Sequence, residues 1–302
     1  HKAIRRQRQM CIRDSKMDGF FNIYKEKGYT SFDVCNKIKH LFKEKKVGHT
    51  GTLDPNAVGV MQIAVGRATK LLPIFEDHIK IYEPTIHFGI LTDTLDPEGK
   101  IIKEEDVPNF TLDDVKKKLE ILKNKTTQIP PIYSAIKVNG KKLYEYAREN
   151  KEVEIKERPI KIYELEAISD LYYEDGYLAL KLRMKVSKGF YVRSLVRDLA
   201  NELNTIGIMS DLVRIQTGDF NILNSKKLSE ISCDDLMKIE DVFSKYPRFN
   251  ARPYLVPLIK NGIMLDERQM TCDCPFTVYF EDKLLAIYAP KDDRYYRVQY
   301  FG

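Results

Sequence analysis

Apolar positions along residues 17–245 recur in stretches spaced by two and in stretches spaced by three to four, so strands and helices are predicted to interleave. Phe20–Tyr24 reads as a short strand. The turn Lys25-Glu26-Lys27-Gly28-Tyr29-Thr30-Ser31 ends in helix-capping residues, with Thr30 or Ser31 as the N-cap. Phe32, Val34, Ile38 and Leu41 then give a helix its apolar stripe. Val60–Val65 reads as a buried strand, Gly66–Phe75 as a helix start, and Ile79–Ile90 as a strand that carries Tyr82. Thr92–Gly99 has the chemistry of a solvated hairpin turn. Thr111–Leu122 is an amphipathic helix capped by Thr111, with Asp113 and Asp114 in its first turn. Residues 123–159 form a polar, loop-rich insertion. Ile160–Leu171 and Tyr177–Val186 read as strands joined at Asp175-Gly176, and Phe190–Leu203 as a helix with Leu195, Val196, Leu199 and Leu203 on one face. After a linker at Lys245–Pro253, the Tyr-rich stretch 251–302 carries three short β-runs and predicts a small β domain. The expected class is therefore mixed α/β (α+β): a largely antiparallel sheet with helices, followed by a small β module.

Composition narrows this only in part. The 302 residues leave room for about two domains, and 43% hydrophobic with 31% charged residues is the balance of an ordinary globular chain. No apolar run approaches the ~20 residues of a membrane-spanning helix. The net charge of +6 is concentrated at the start: residues 1–16 hold six Lys/Arg and one Asp (+5), and the rest holds 44 basic and 43 acidic residues (+1). Met17 reads as the true start, and 1–16 as a non-native or disordered tail. Nucleic-acid binding therefore has to come from local cations, for which Lys43, Lys45, Lys46, Lys137, Lys141, Lys142 and Lys188 are the candidates. The five cysteines, at 11, 35, 233, 272 and 274, are odd in number and lack a secretory leader. A disulfide framework is not expected and a reducing cytoplasm fits. Cys272 and Cys274 have no second pair or histidine nearby, so no metal site is expected.

The segment Gly48–Gly59 packs three glycines and Pro55 into twelve residues just before a buried strand. Its candidates for chemistry are Asp54 and His49. Asp-Pro fixes the local backbone, so Asp54 either caps a turn or presents a carboxylate. Thr-Leu-Asp-Pro recurs at 94–97, followed by Glu98-Gly99. That second copy reads as the solvated turn, and context favours Asp54 as the reactive acid. Two other classes stay open on these residues. One is an RNA-binding factor without catalysis. The other is a hydrolase using Asp54 and Asp96 as a carboxylate pair, which an exposed Asp96 would eliminate.

Gly48-His49-Thr50-Gly51-Thr52-Leu53-Asp54-Pro55-Asn56-Ala57-Val58-Gly59 closely resembles the active-site motif of the TruB family of bacterial tRNA pseudouridine synthases, which act on the T-arm uridine at tRNA position 55. The likeness extends in order through Gly66-Arg67-Ala68-Thr69-Lys70, Tyr133-Ser134-Ala135-Ile136-Lys137, Gly140-Lys141-Lys142-Leu143-Tyr144 and Ser187-Lys188-Gly189-Phe190-Tyr191-Val192-Arg193-Ser194. It covers about Phe20 to Phe220. Where the family usually has Lys-Pro, this chain has Lys25-Glu26.

The resemblance implies the pseudouridine synthase catalytic fold over 17–245, an RNA-gripping thumb at 123–159, and a PUA-like domain at 251–302. It implies that Asp54 is the catalytic aspartate, that Arg193 pairs with it, and that Tyr82 stacks on a flipped uracil. It further implies that Tyr191 contacts substrate, Leu212 lines the base pocket, His49 helps hold the flipped-out RNA and Lys25 supports the loop. Taken singly, Tyr82 would pass for a strand aromatic, Leu212 for a core leucine, Arg193 for a solvated or phosphate-facing arginine and His49 for a loop histidine. The implied partner is the tRNA T arm, with no cofactor, metal or protein partner, in a cytoplasmic monomer.

Overall fold

The computed structural model describes residues 17–76, 78–149, 151–292 and 294–302. The expected tail 1–16 lies outside the described residues. In chain order, β1 (Gly19–Lys25) leads into α1 (Ser31–Phe42), followed by β2 (Val47–His49) and β3 (Val58–Val65). The stretch expected as one helix start is a 3-10 turn at Gly66–Leu71 continued by a four-residue α-turn, Leu72–Phe75. Then come β4 (Lys80–Phe88), the hairpin β5 (Ile90–Thr92) and β6 (Ile101–Glu104), α2 (Leu112–Lys123), β7 (Ile162–Ala167), β8 (Tyr177–Val186), α3 (Val192–Glu202) and β9 (Gly207–Thr217). The C-terminal part holds β10 (Arg248–Asn250), α4 (Leu255–Lys260), β11 (Phe276–Phe280), β12 (Lys283–Pro290) and β13 (Tyr295–Phe301). Among the described residues no helix is long and apolar enough to cross a membrane.

The chain divides into two compact units. One is made of residues up to Pro55, Val60–Asp77 and Leu223–Gly302, the other of Asn56–Gly59 and His78–Ile222.

In the first unit, α1 starts at Thr30, whose hydroxyl accepts from the Asp33 amide (3.0 Å) while the Asp33 carboxylate accepts from the Thr30 amide (2.9 Å). The helix buries Ser31, Val34, Cys35, Ile38 and Phe42. Phe32, expected on that stripe, is 64% exposed. It sits about 100° around the helix from Ser31, outside the arc that faces the sheet. Beneath α1, Phe21 and Ile23 of β1 join Met61, Ile63 and Val65 of β3 in one apolar cluster. The other face of β1 carries Phe20, which meets Phe75 edge-on (5.1 Å), and Phe75 in turn meets Phe243 (5.4 Å). β2 runs antiparallel to β3, with His49 opposite Ile63.

The C-terminal strands form their own sheet, in the order β10-β11-β12-β13 and then Leu265–Asp266. Phe276 stacks on Tyr288 at 5.6 Å and meets Tyr296 edge-on at 5.0 Å in its core. The Tyr288 hydroxyl donates to the Ile263 carbonyl (2.9 Å), and burial pushes its pKa up to about 12. This is the small C-terminal β module that the strand pattern led us to expect, with strands consistent with a PUA-like fold.

In the second unit the sheet order is β7-β8-β4-β9, antiparallel throughout. From Leu180 on, β8 alternates, with Leu180, Leu182, Met184 and Val186 buried and Lys181 and Arg183 exposed, as a sheet with one wet face requires. α2 packs on β7, α3 packs on β9 and β4, and the two helices touch. The first residues of β3 add to β9 in parallel, Val58 beside Val213 and Gly59 beside Arg214.

That junction demands glycine. Gly59 has φ +108°, and a Cβ there would stand 2.2 Å from the Arg214 carbonyl oxygen. Gly59→Ala is expected to lower unfolding free energy by roughly 2–4 kcal/mol, combining left-handed strain with displacement of a paired strand. Urea denaturation followed by circular dichroism checks it; a loss below about 0.5 kcal/mol would contradict the strand junction described here.

Candidate active site

The first unit holds Lys25, His49 and Asp54. Asp54 is half-buried in the loop between β2 and β3, and both peptide neighbours are tied down. On one side, the Ser31 hydroxyl donates to the Leu53 carbonyl (3.1 Å) and accepts from the Leu53 amide (3.0 Å). On the other, the Pro55 carbonyl accepts from Lys25 Nζ (2.9 Å) and from the Gly28 amide (3.0 Å). Lys25 is fully buried, and its ammonium also reaches the Glu26 carbonyl (3.3 Å). The turn is thus held to the loop by Lys25 and Gly28, so its placement does not depend on a proline at position 26.

His49 stands between two partners: Nδ1 lies 3.5 Å from Cys35 Sγ and Nε2 lies 3.3 Å from Thr52 Oγ1. Burial pushes the Cys35 thiol up to about 11, so it stays protonated beside the imidazole. Thr50, one residue on, donates to the buried Gln62 side chain (3.3 Å).

The second unit holds Tyr82, Tyr191, Arg193 and Leu212. Tyr82 on β4 is flanked by Met184 on β8 and Arg214 on β9, while Leu212 pairs with Pro84. Residues two apart share a sheet face, so Tyr82, Pro84, Leu212 and Arg214 line one side. Tyr82 and Leu212 are both buried, and Arg214 is among the largest fully buried side chains.

Tyr191 is the N-cap of α3, and Arg193 lies in its first turn. Tyr191 is extended and Arg193 helical, so the two side chains do not follow the alternation of a strand. The Arg193 guanidinium donates to the carbonyls of Thr94 (3.0 Å) and Tyr133 (3.1 Å), and Nη1 stands 3.4 Å from Asp96 Oδ2.

Asp96 corrects the expectation of a solvated turn. It is only 7% exposed. Its Oδ1 accepts from Thr94 Oγ1 (2.6 Å) and the Glu98 amide (3.1 Å), while its carbonyl accepts from Thr92 Oγ1 (2.7 Å). The next strand pins the turn through the Met209 amide, which donates to the Leu95 carbonyl (3.1 Å). An arginine and a strand edge bury what residue chemistry alone describes as a surface turn. Nearby, Tyr133 donates to Asp93 (3.3 Å); burial first, then the Asp93 charge, raises its phenol pKa.

The insertion is more ordered than a loop. Lys137–Val138 and Lys141–Lys142 form a hairpin that enters a short helix, Leu143–Arg148. Lys141 covers the Tyr146 ring (5.1 Å), and Lys142 and Arg148 cover Tyr144 (5.4 and 5.3 Å). Such interleaved cations and rings suit phosphates and bases. Among the described residues no group of three or more His, Cys, Asp or Glu could hold a metal ion.

Arg214, Gln62 and Gln128 escaped the sequence reading, Ser31 was read only as a helix cap, and Asp96 was weighed only as a solvated turn or half of a hydrolytic pair. Only Asp96 carried a signal, the repeated tetrapeptide.

Comparison with known proteins gives a consistent result. The profile of the TruB family pseudouridylate synthase (N terminal domain) matches residues 39–192. The tRNA pseudouridine synthase B of Caldanaerobacter subterraneus subsp. tengcongensis is 47% identical, over 82% of this chain and 85% of that protein. The protein of the same name from Onion yellows phytoplasma is 40% identical, over 94% and 100%. A chain from the crystal structure of a Cbf5-Nop10-Gar1 complex shares the fold with a TM-score of 0.70 at 20% identity, over 98% of this chain and 86% of that one.

Asp96→Ala should lower stability by about 3 kcal/mol, because it strips a buried guanidinium of a carboxylate and frees the turn. Equilibrium urea unfolding measures this. A change within about 0.5 kcal/mol would mean that the turn is as solvated as its composition suggests.

Proposed function

Because the chain belongs to the TruB family of pseudouridylate synthases, we propose that it converts the T-arm uridine at tRNA position 55 to pseudouridine, with Asp54 as the catalytic carboxylate and no cofactor. The reaction is an isomerisation. The bond from C1′ to N1 of uracil breaks, the base turns, C1′ bonds to C5, the C5 proton leaves and N1 takes up a proton. No oxidant, reductant or group donor enters the balance. A carboxylate serves because it can attack or stabilise an electron-poor centre and then depart.

The target base has to leave a folded RNA loop, at a cost of a few kcal/mol in lost stacking. Tyr82 offers a replacement stacking surface and Leu212 an apolar wall. Arg193 pairs with the Asp54 carboxylate, Tyr191 contacts the substrate, His49 holds the extruded segment, and Lys25 fixes the loop. Residues 17–245 act as the catalytic domain, 123–159 grips RNA as a thumb, and 251–302 touches the acceptor arm. The enzyme works as a cytoplasmic monomer without a protein partner.

The observation that carries this reading is the clamp on either side of Asp54, from Ser31 to Leu53 and from Lys25 and Gly28 to Pro55. A preorganised carboxylate is what bond-making chemistry needs and what a passive RNA-binding scaffold has no use for.

Tritium release from a T-arm stem-loop carrying 5-tritiated uridine tests it. The unmodified enzyme should release label, and Asp54→Asn should slow release by more than about a thousandfold, or roughly 4 kcal/mol of barrier, while still binding the RNA. Release that survives Asp54→Asn would remove the catalytic assignment. Binding without any release by the wild type would favour the non-catalytic scaffold.

A further inference from the structure

The insertion and the start of α3 meet at one side chain. Gln128 is 5% exposed. Its Nε2 donates to the Tyr191 carbonyl (3.0 Å) and its Oε1 accepts from the Tyr191 amide (2.9 Å). A side-chain amide bonded through both edges to one residue's backbone fixes position and orientation together. Gln128 also sits where the two ends of the insertion pair, opposite Arg158 in the Thr127–Gln128 and Arg158–Pro159 ladder. The residues that follow continue the contact with the helix. The Ile129 carbonyl accepts from Ser194 Oγ (2.9 Å) and Arg197 Nη2 (3.3 Å), and the Tyr133 carbonyl accepts from Arg193 Nη2 (3.1 Å).

Resting on the function proposed above, we propose that Gln128 is a positioning residue for that reaction. By clasping the backbone of Tyr191 it sets the first turn of α3, and through it Arg193, so that the seating of the insertion and the placement of the guanidinium are one event. Gln128 acts through Tyr191 and Arg193. The site calls for glutamine because it needs a donor and an acceptor on one planar group. Methionine fills the volume and offers neither. A carboxylate accepts from the Tyr191 amide and repels its carbonyl; once protonated, it becomes a near-copy of the amide and can do both.

Three measurements on the full-length enzyme test this. In Gln128→Met, hydrogen exchange of peptides spanning 189–196 should quicken by about tenfold, more than that of peptides elsewhere in the chain. Single-turnover label release should slow by about thirtyfold, as expected for two lost hydrogen bonds, with stem-loop affinity within about threefold of wild type. In Gln128→Glu, the rate relative to wild type should climb at least about fivefold from pH 8 to pH 5.5, as the protonated carboxyl regains its donor. A residue that merely fills space would give a flat ratio.

Unchanged exchange overturns the clasp. Faster exchange with wild-type rates overturns its link to Arg193. A rate loss matched by an equal loss of RNA affinity, with a flat pH ratio, overturns it in favour of a role in RNA gripping. Absence of label release by the wild type would instead refute the function proposed above, and the exchange result would still decide the clasp.

Discussion

For Asp54 to act as the carboxylate proposed above, the peptide beneath it has to stay still, and in the first unit hydrogen bonds to the residues on either side of Asp54 hold it. Ser31 closes a two-bond ring with Leu53, and Lys25 with Gly28 takes the carbonyl of Pro55. The arrangement is not cheap. Moving an ammonium out of water costs several kcal/mol even after relaxation, and Lys25 is fully buried. Two backbone carbonyls that accept from its ammonium offset part of that cost, in bonds that a dry setting strengthens. Loop geometry set during folding need not be set again at the moment of reaction.

The second unit uses the same four residues to another end. In Thr52-Leu53-Asp54-Pro55 the left-handed residue is Gly51 just before the motif, φ +62°, and glycine adopts it freely. In Thr94-Leu95-Asp96-Pro97 it is Leu95, φ +63°, where a branched side chain costs about 1 kcal/mol or more. Thr92, Thr94, Glu98 and Met209 over-determine that turn with hydrogen bonds, and the carboxylate is turned inward to Arg193. Identical tetrapeptides therefore reach different fates because one is framed by glycines and the other by threonines and a strand edge.

The difference marks the limit of what could be read from the chain. The capped helices α1 and α2, and the alternation of β8, were legible because the signals are local: a capping box, a period of two. β9 was not. Its pairing with β4 carries irregularities at Met209/Asp211 and Arg214/Gln216, which break the alternation that would have announced a strand. The whole list of site residues except Asp54 and His49 rested on resemblance, since a buried strand tyrosine or leucine looks the same whether or not a base will lie on it. The contacts of Asp96 and Gln128 were invisible for a further reason. Their partners, Arg193 and Tyr191, are 97 and 63 residues away, and no local pattern encodes such a contact.

Charge follows the same logic of placement over composition. Residues 17–302 are nearly neutral, so long-range attraction to RNA is weak and salt at physiological strength would screen much of it. Along the sheet and helices of the second unit the cations are matched: Lys185 with Glu164, Lys118 with Glu202, Lys125 with Asp198. The insertion also lays Lys141, Lys142 and Arg148 over tyrosine rings, and Lys141 is paired with Glu149 as well. A cation on a ring keeps its charge for a phosphate while the ring keeps an edge for a base. Contacts of that kind act at van der Waals range, after the RNA has arrived. For the function proposed above this arrangement is useful: matched charges limit indiscriminate attraction of RNA, and the segment proposed to grip it is the one whose base is tied to Tyr191 and Arg193.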